Sequence, residues 1–244
     1  MPIFRSSADR VRGAVALSLQ EKVAQDIDRL IGLLLEASIV LWEQVNWHTY
    51  NDDEDNCTVQ LYRWCRFARR RDTRFTLLVP HFQWVDLTAA MLDGSESVRS
   101  AKRPDLRIDV NEVGRSFECK RLAPTGGWCH AYVYEGLARF VLDNYGRGEP
   151  VGYMVGYVQA GTFDELLIAI NQQIFDHPGM EDSDQLKLLQ ESDKSAWNRS
   201  NHTRLPDPIQ VHHLWVEVGM RAGRPHRATL GRAVASSRPS SGRP

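Results

Sequence analysis

Asp105, Glu118 and Lys120 lie within sixteen positions of one another in the middle of the chain. Carboxylate oxygens suit a hard divalent cation such as Mg²⁺, which needs only one or two of them beside a substrate phosphate. A cation held this way polarises a phosphoryl oxygen and lowers the pKa of a bound water. An ammonium group at its side orients that water or offsets the charge growing on the phosphoryl oxygens. The chemistry these residue types support is hydrolysis of a phosphodiester, with Mg²⁺ or Mn²⁺ as the ion.

The elements that must position them read as a β-hairpin. Residues 103–110 and 115–120 alternate apolar and polar, and Asn111-Glu112-Val113-Gly114 between them carries turn chemistry. Alternation puts Leu106, Ile108, Val110, Phe117 and Cys119 on one face. Asp105, Arg107, Asp109, Ser116, Glu118 and Lys120 fall on the other. With Val110 paired to Arg115, Lys120 lies opposite Asp105 and Glu118 opposite Arg107. Asp105 and Glu118 are then diagonal neighbours, roughly 7–8 Å apart at the backbone and within reach of one ion. Asp109 is also diagonal to Glu118 but sits nearer the turn, so Asp105 ranks above it as the ligand. A solvated hairpin with cross-strand ion pairs would use the same residue types.

Pro104-Asp105 and Glu118-Cys119-Lys120 resemble the two signature elements of the PD-(D/E)XK phosphodiesterases, the restriction-endonuclease-like superfamily. The resemblance implies an α/β core of order α-β-β-β-α-β-α-β, a mixed central sheet flanked by helices. It implies that Asp105 and Glu118 bind Mg²⁺ or Mn²⁺, that Lys120 serves the nucleophilic water, and that a first-helix carboxylate joins them. Glu54 stands where that carboxylate belongs. Residues 54–58, 132–140 and 154–158 also resemble uncharacterised bacterial nuclease-like proteins associated with anti-phage defence. DNA is favoured over RNA by the resemblance alone. An RNase on the same scaffold, or a nonenzymatic binding or assembly subunit that keeps the fold, are the alternatives.

The predicted order of elements agrees. Cys57 to Arg71 carries Leu61, Trp64, Cys65 and Ala68 at helical spacing behind an acidic first turn. Phe75 to Val79 is a β-prone run. Ala131 to Asn144 and Asp164 to His177 read as helices, and Val151 to Gln159 and Val211 to Val218 as strands. Residues 178–208 read as a long polar connection. Within it His202 and Arg204 are candidate substrate contacts, as is Arg139 on the helix after Lys120. His212 and His213 are adjacent on a strand and face opposite ways, so they form no chelating pair.

Three regions follow: a helical extension over 1–50, a nuclease core over 51–218 and a basic tail over 219–244. Leu17 to Trp47 carries a wide apolar stripe that packs on the core or forms a homodimer interface. The tail holds six arginines and no acid and is expected to be disordered, leaving 24 basic against 31 acidic residues elsewhere. An acidic body that handles nucleic acid needs local basic surface. Arg63, Arg66, Arg69, Arg70, Arg71 and Arg74 supply it, with Arg70 and Arg71 as candidate substrate contacts. Four cysteines without C-x-x-C spacing argue against zinc and against a disulfide framework. A charged start without an apolar signal-peptide core, and no apolar run long enough to span a bilayer, point to a cytoplasmic protein with no membrane partner. No base-reading or 2′-hydroxyl-reading element separates DNA from RNA.

Overall fold

A computed structural model describes residues 26–45, 53–85, 89–95, 97, 101, 103–110, 113–142, 148–203 and 207–218. Its centre is a seven-stranded mixed sheet of order β1-β2-β3-β4-β7-β6-β5. The strands are β1 (Val79–Phe82), β2 (Leu106–Val110), β3 (Val113–Leu122), β4 (Val151–Val158), β5 (Lys187–Glu191), β6 (Ser195–His202) and β7 (Ile209–Glu217). β3, β4 and β7 are mutually parallel, and the two outer pairs on either side run antiparallel. Helices flank both faces, which makes the chain α/β.

Alternation along the central strands builds two cores. Phe117, Cys119, Tyr153, Val155, Tyr157, Leu214 and Val216 point to one face, with Leu106, Ile108 and Val110 of β2. They meet α1, helical over 26–43, through Ile27, Ile31, Leu34, Leu35 and Trp42, and α2 (Glu54–Arg71) through Cys57, Leu61, Trp64, Cys65 and Ala68. Leu122, Met154, Val158, Val211 and Trp215 point to the other face. There they meet a helix α4 built of three consecutive segments, Trp128–Ala131, a π-helical turn Tyr132–Leu137, and Ala138–Val141, and also α5 (Phe163–Phe175). A four-residue helix, α3 (Ala89–Leu92), lies between β1 and β2.

Local chemistry fixes the helix ends. Asp53 accepts from the Asn56 N–H at the start of α2, Glu54 and Asp55 fill its first turn, and Arg69 to Arg71 its last. Thr162 and Glu165 form a reciprocal capping box on α5.

The described part of α1 lays its apolar face on the chain's own core, the intramolecular alternative to a homodimer seam. Arg115, nearly buried, donates to both Asp28 oxygens at 2.9 and 3.0 Å, and the Tyr153 hydroxyl reaches Asp28 at 3.0 Å. This ties α1 to the middle of the sheet.

Several expectations are corrected. Thr73–Phe75 is a 3₁₀ turn, not the start of a strand, because Asp72 accepts from the Arg74 backbone N–H and guanidinium and holds the chain in a turn. The strand follows at Val79–Phe82 and tolerates Pro80 because it is an edge strand. Val110 pairs with Val113 rather than Arg115, so the hairpin register is shifted by two residues. An even shift preserves the faces. Residues 178–208 hold a 3₁₀ turn (Asp182–Asp184) and the antiparallel pair β5–β6 instead of a featureless connection. Arg204, residues 1–25 and 46–52, and the tail from 219 lie outside the described residues. No helix among the described residues is long and apolar enough to cross a membrane.

Removing one partner of a nearly buried ion pair leaves the other charge uncompensated. Asp28→Ala should therefore cost about 3 kcal/mol, read as a lower urea midpoint. An unchanged midpoint would mean that Arg115 does not depend on α1.

Candidate active site

β2 pairs with β3 only as far as Leu106 opposite Phe117, whereas β3 runs on to Leu122 against β4. Beyond that point the outer edge of β3 has lost its neighbour, and its backbone donors need new acceptors. Two carboxylates take the place of the missing strand. Asp105, just before β2, accepts from the Cys119 N–H at 2.7 Å. Glu54, in the first turn of α2, accepts from the Arg121 N–H at 3.0 Å. The β2–β3 register, continued one step, sets Asp105 opposite Glu118.

Lys120 reaches into this group. Its ammonium donates to Glu118 Oε1 at 2.8 Å, to Glu54 Oε1 at 3.1 Å and to the Cys119 carbonyl at 3.1 Å. Arg139 on α4 donates to the same Glu118 Oε1 at 2.7 Å. Glu118 Oε2 is buried and has no hydrogen-bond partner. Burial pushes the Glu118 carboxyl up to about 7, and the neighbouring Asp105 charge adds to the rise. Burial also raises Asp105, opposed by the Cys119 N–H and by Lys120. For Lys120 burial works against the charge, but Glu118, Glu54 and Asp105 outweigh it and hold the ammonium above its ordinary range.

α4 is shaped for close approach. A Cβ at Gly136 would stand 2.6 Å from Met154 Cε and 3.4 Å from Lys120 Cγ. The π turn over Tyr132–Leu137 ends just before Arg139, and such turns favour functional positions. On the other side Gln83 adopts a left-handed backbone, φ 49°, and its N–H donates to the Asp105 carbonyl at 2.9 Å. That hydrogen bond holds the backbone beside the Asp105 carboxylate, with Gln83 in a conformation uncommon for a non-glycine residue.

The structure thus brings together Glu54, Asp105, Glu118, Lys120 and Arg139 of the sequence-predicted residues. Glu54 stands beside Lys120 with each oxygen on a donor. Asp109 belongs elsewhere. It accepts from Arg107 at 2.8 Å and lies 3.2 Å from His81, and Arg107 in turn donates to Glu149 at 2.6 Å. Gly114 opposite Asp109 leaves room for that cluster, since a Cβ there would collide with Asp109 and Arg107. His202 is not a loop residue with access to substrate. It is buried on β6, hydrogen-bonded to Ser200 at 2.7 Å and 3.0 Å from Asp184. β6 lies three strands from β3, about 14 Å away. Ser200 also reaches His213, whose other nitrogen meets the Tyr132 hydroxyl at 2.8 Å. His212 faces the opposite side and stacks on Tyr153. Arg70 and Arg71 are exposed at the far end of α2. Sequence reasoning missed Gln83, which carries no local signal, and the pairing of Arg139 with Glu118, a contact between two elements 21 residues apart in sequence.

Among the described residues no group of three or more His, Cys, Asp or Glu side chains forms a metal cage. Asp105 and Glu118 nevertheless fit a hard cation: one buried carboxylate oxygen lacks a partner, and a second raised carboxylate lies beside it. One or two carboxylates are a sufficient protein share for Mg²⁺. No family model matches the chain, and no curated protein and no solved structure matches it significantly.

Because the Glu118 carboxyl is raised, its contribution to stability is present below its ordinary value and lost as pH rises through about 7. Without divalent ions, thermal melts between pH 5 and 8 should show wild type losing stability relative to Glu118→Gln. Parallel pH profiles for the two proteins would contradict the buried-carboxylate description.

Proposed function

We propose that this chain is a metal-dependent nuclease that hydrolyses phosphodiester bonds, with DNA as the substrate class, on a restriction-endonuclease-like core. The observation that carries the reading is the buried, unpartnered Glu118 Oε2 beside Asp105, with Lys120 and Arg139 converging on the other Glu118 oxygen. The order of helix, strand, hairpin, helix, strand and helix around those residues supports it, with β5 and β6 as additions before the last strand.

Asp105 and Glu118 would hold the divalent cation. When bound, that ion supplies Lewis acidity toward a phosphoryl oxygen and an acidified water. Lys120 keeps its proton at neutral pH, held there by three carboxylates, so it acts as a donor that orients the attacking water or meets developing charge. Glu54 positions Lys120 by anchoring both its ammonium and the next backbone N–H. Arg139, whose side chain is 39% exposed, would offer its remaining N–H groups to an incoming phosphate.

Incubation of purified protein with plasmid, linear DNA and RNA, in Mg²⁺, Mn²⁺ or EDTA, tests this. Wild type should cleave DNA only with a divalent ion. Asp105→Ala and Lys120→Ala should each lose about 10²-fold or more, in the range seen when one transition-state donor is removed. Asp109→Ala should keep cleavage within a few-fold. Cleavage that survives both Asp105→Ala and Lys120→Ala removes the site from the reaction. Cleavage of RNA alone replaces DNA as substrate.

A further inference from the structure

We propose that Trp84, braced by His81, is a stacking platform for an unpaired base beside the phosphodiester being cut, so that the substrate is single-stranded rather than duplex DNA. This rests on the nuclease reading and names the form of its substrate.

The platform lies on the same sheet face as the carboxylates. In the β1–β2 register His81 stands opposite Arg107, and Asp105 lies two residues before Arg107 on the same face. His81 and Asp105 are therefore diagonal neighbours, about 7–8 Å apart at the backbone. Glu118 and Lys120 share that face, since Asp105 falls opposite Glu118 when the β2–β3 register is continued. β1 is the edge strand, and among the described residues the apolar core on this side takes none from β1 or β2.

Gln83 turns Trp84 onto this face. Continued alternation from His81 would send Trp84 to the opposite side with Phe82, which packs toward Tyr62 of α2 at 5.9 Å. The left-handed backbone at Gln83, φ 49°, breaks the alternation. The Trp84 ring instead lies 4.6 Å from the His81 ring, with their planes 57° apart. Left-handed backbone is uncommon at a residue with a side chain, and such positions gather at functional sites. The Gln83 N–H donates to the Asp105 carbonyl, so Trp84 directly follows a residue bonded to the backbone of a proposed metal ligand. His81 is itself held, with Nε2 3.2 Å from Asp109 Oδ2.

Core packing does not account for Trp84. Among the described residues it belongs to neither apolar core, although an indole is among the largest surfaces a side chain can bury. It is half-buried just past the end of an edge strand. Such a ring beside a phosphodiester site fits a nucleobase, because every base has a π-face and stacking needs no particular sequence. In a duplex both faces of a base are covered by its neighbours. A side-chain ring therefore meets a base face only at an unpaired or extruded nucleotide.

Fluorescence anisotropy of labelled strands titrated with the full chain in EDTA tests the platform. One strand is oligothymidylate, and the other has the same length but abasic residues throughout. Both carry the same phosphates, so the electrostatic share of binding is matched. Wild type should bind oligothymidylate about 5-fold or more tighter than the abasic strand, the low end for one aromatic–base stack. Trp84→Ala should lose that preference, and Trp84→Phe, which keeps a ring face, should retain most of it. Oligothymidylate should also quench tryptophan emission more in wild type than in Trp84→Phe. With Mn²⁺, wild type should cut oligothymidylate faster than the same strand paired with oligoadenylate. Equal affinity of wild type for the two strands, or a preference that Trp84→Ala keeps, with DNA still cleaved, would overturn the platform and leave the nuclease reading standing. Faster cleavage of the duplex would overturn the single-strand assignment in the same way. A wild type that neither binds nor cleaves nucleic acid would overturn both.

Discussion

Two backbone N–H groups on the edge of β3, those of Cys119 and Arg121, decide how the candidate site is built. β2 stops short of them, and an unpaired buried donor costs free energy comparable to a lost hydrogen bond. Asp105 and Glu54 close that edge with carboxylates drawn from two separate elements. Once those two are fixed, Lys120 has acceptors on both sides, and Glu118 lies between Lys120 and Arg139. The end of one short strand thus gathers a lysine and three acids.

The gathering is electrostatically unbalanced. Three carboxylates face two cations, and only Glu118 is fully buried. Breaking even against desolvation requires every lone pair to be satisfied, and Glu118 Oε2 is not. The left-handed Gln83 adds backbone strain at the neighbouring position. Cost of this kind concentrates where function requires it, and a divalent cation bound by Asp105 and Glu118 would relieve most of it. By contrast, Arg107, Asp109, Glu149 and Ser116 satisfy one another within an ion-pair cluster, as groups do whose task is structural.

The faces of β2 and β3 were legible from alternation because a two-residue slip leaves every side chain on its own face. The register itself was not legible, since it depends on the turn, and four turn-like residues mask a tight connection between Val110 and Val113. β6 was hidden for a different reason. Its buried positions include Asn198, Ser200 and His202, which are polar, so no apolar alternation marks the strand. The first strand was misplaced because a β-prone run at Phe75 lost to the local turn that Asp72 and Arg74 form. Within the site, Glu54, Asp105, Glu118 and Lys120 were legible from residue type and order. Arg139 was legible only as a nearby cation, because its partner Glu118 lies on a different element and their meeting depends on how α4 packs on β3.

The proposed reaction requires that Asp105 and Glu118 share one divalent cation. Titration of the purified protein with Mn²⁺ at pH 8, followed by electron paramagnetic resonance of the free ion, measures this directly. The expected result is one site in wild type and in Asp109→Asn, lost in both Asp105→Asn and Glu118→Gln. No bound Mn²⁺ in wild type, or a site that survives Glu118→Gln and disappears with Asp109→Asn, would contradict it.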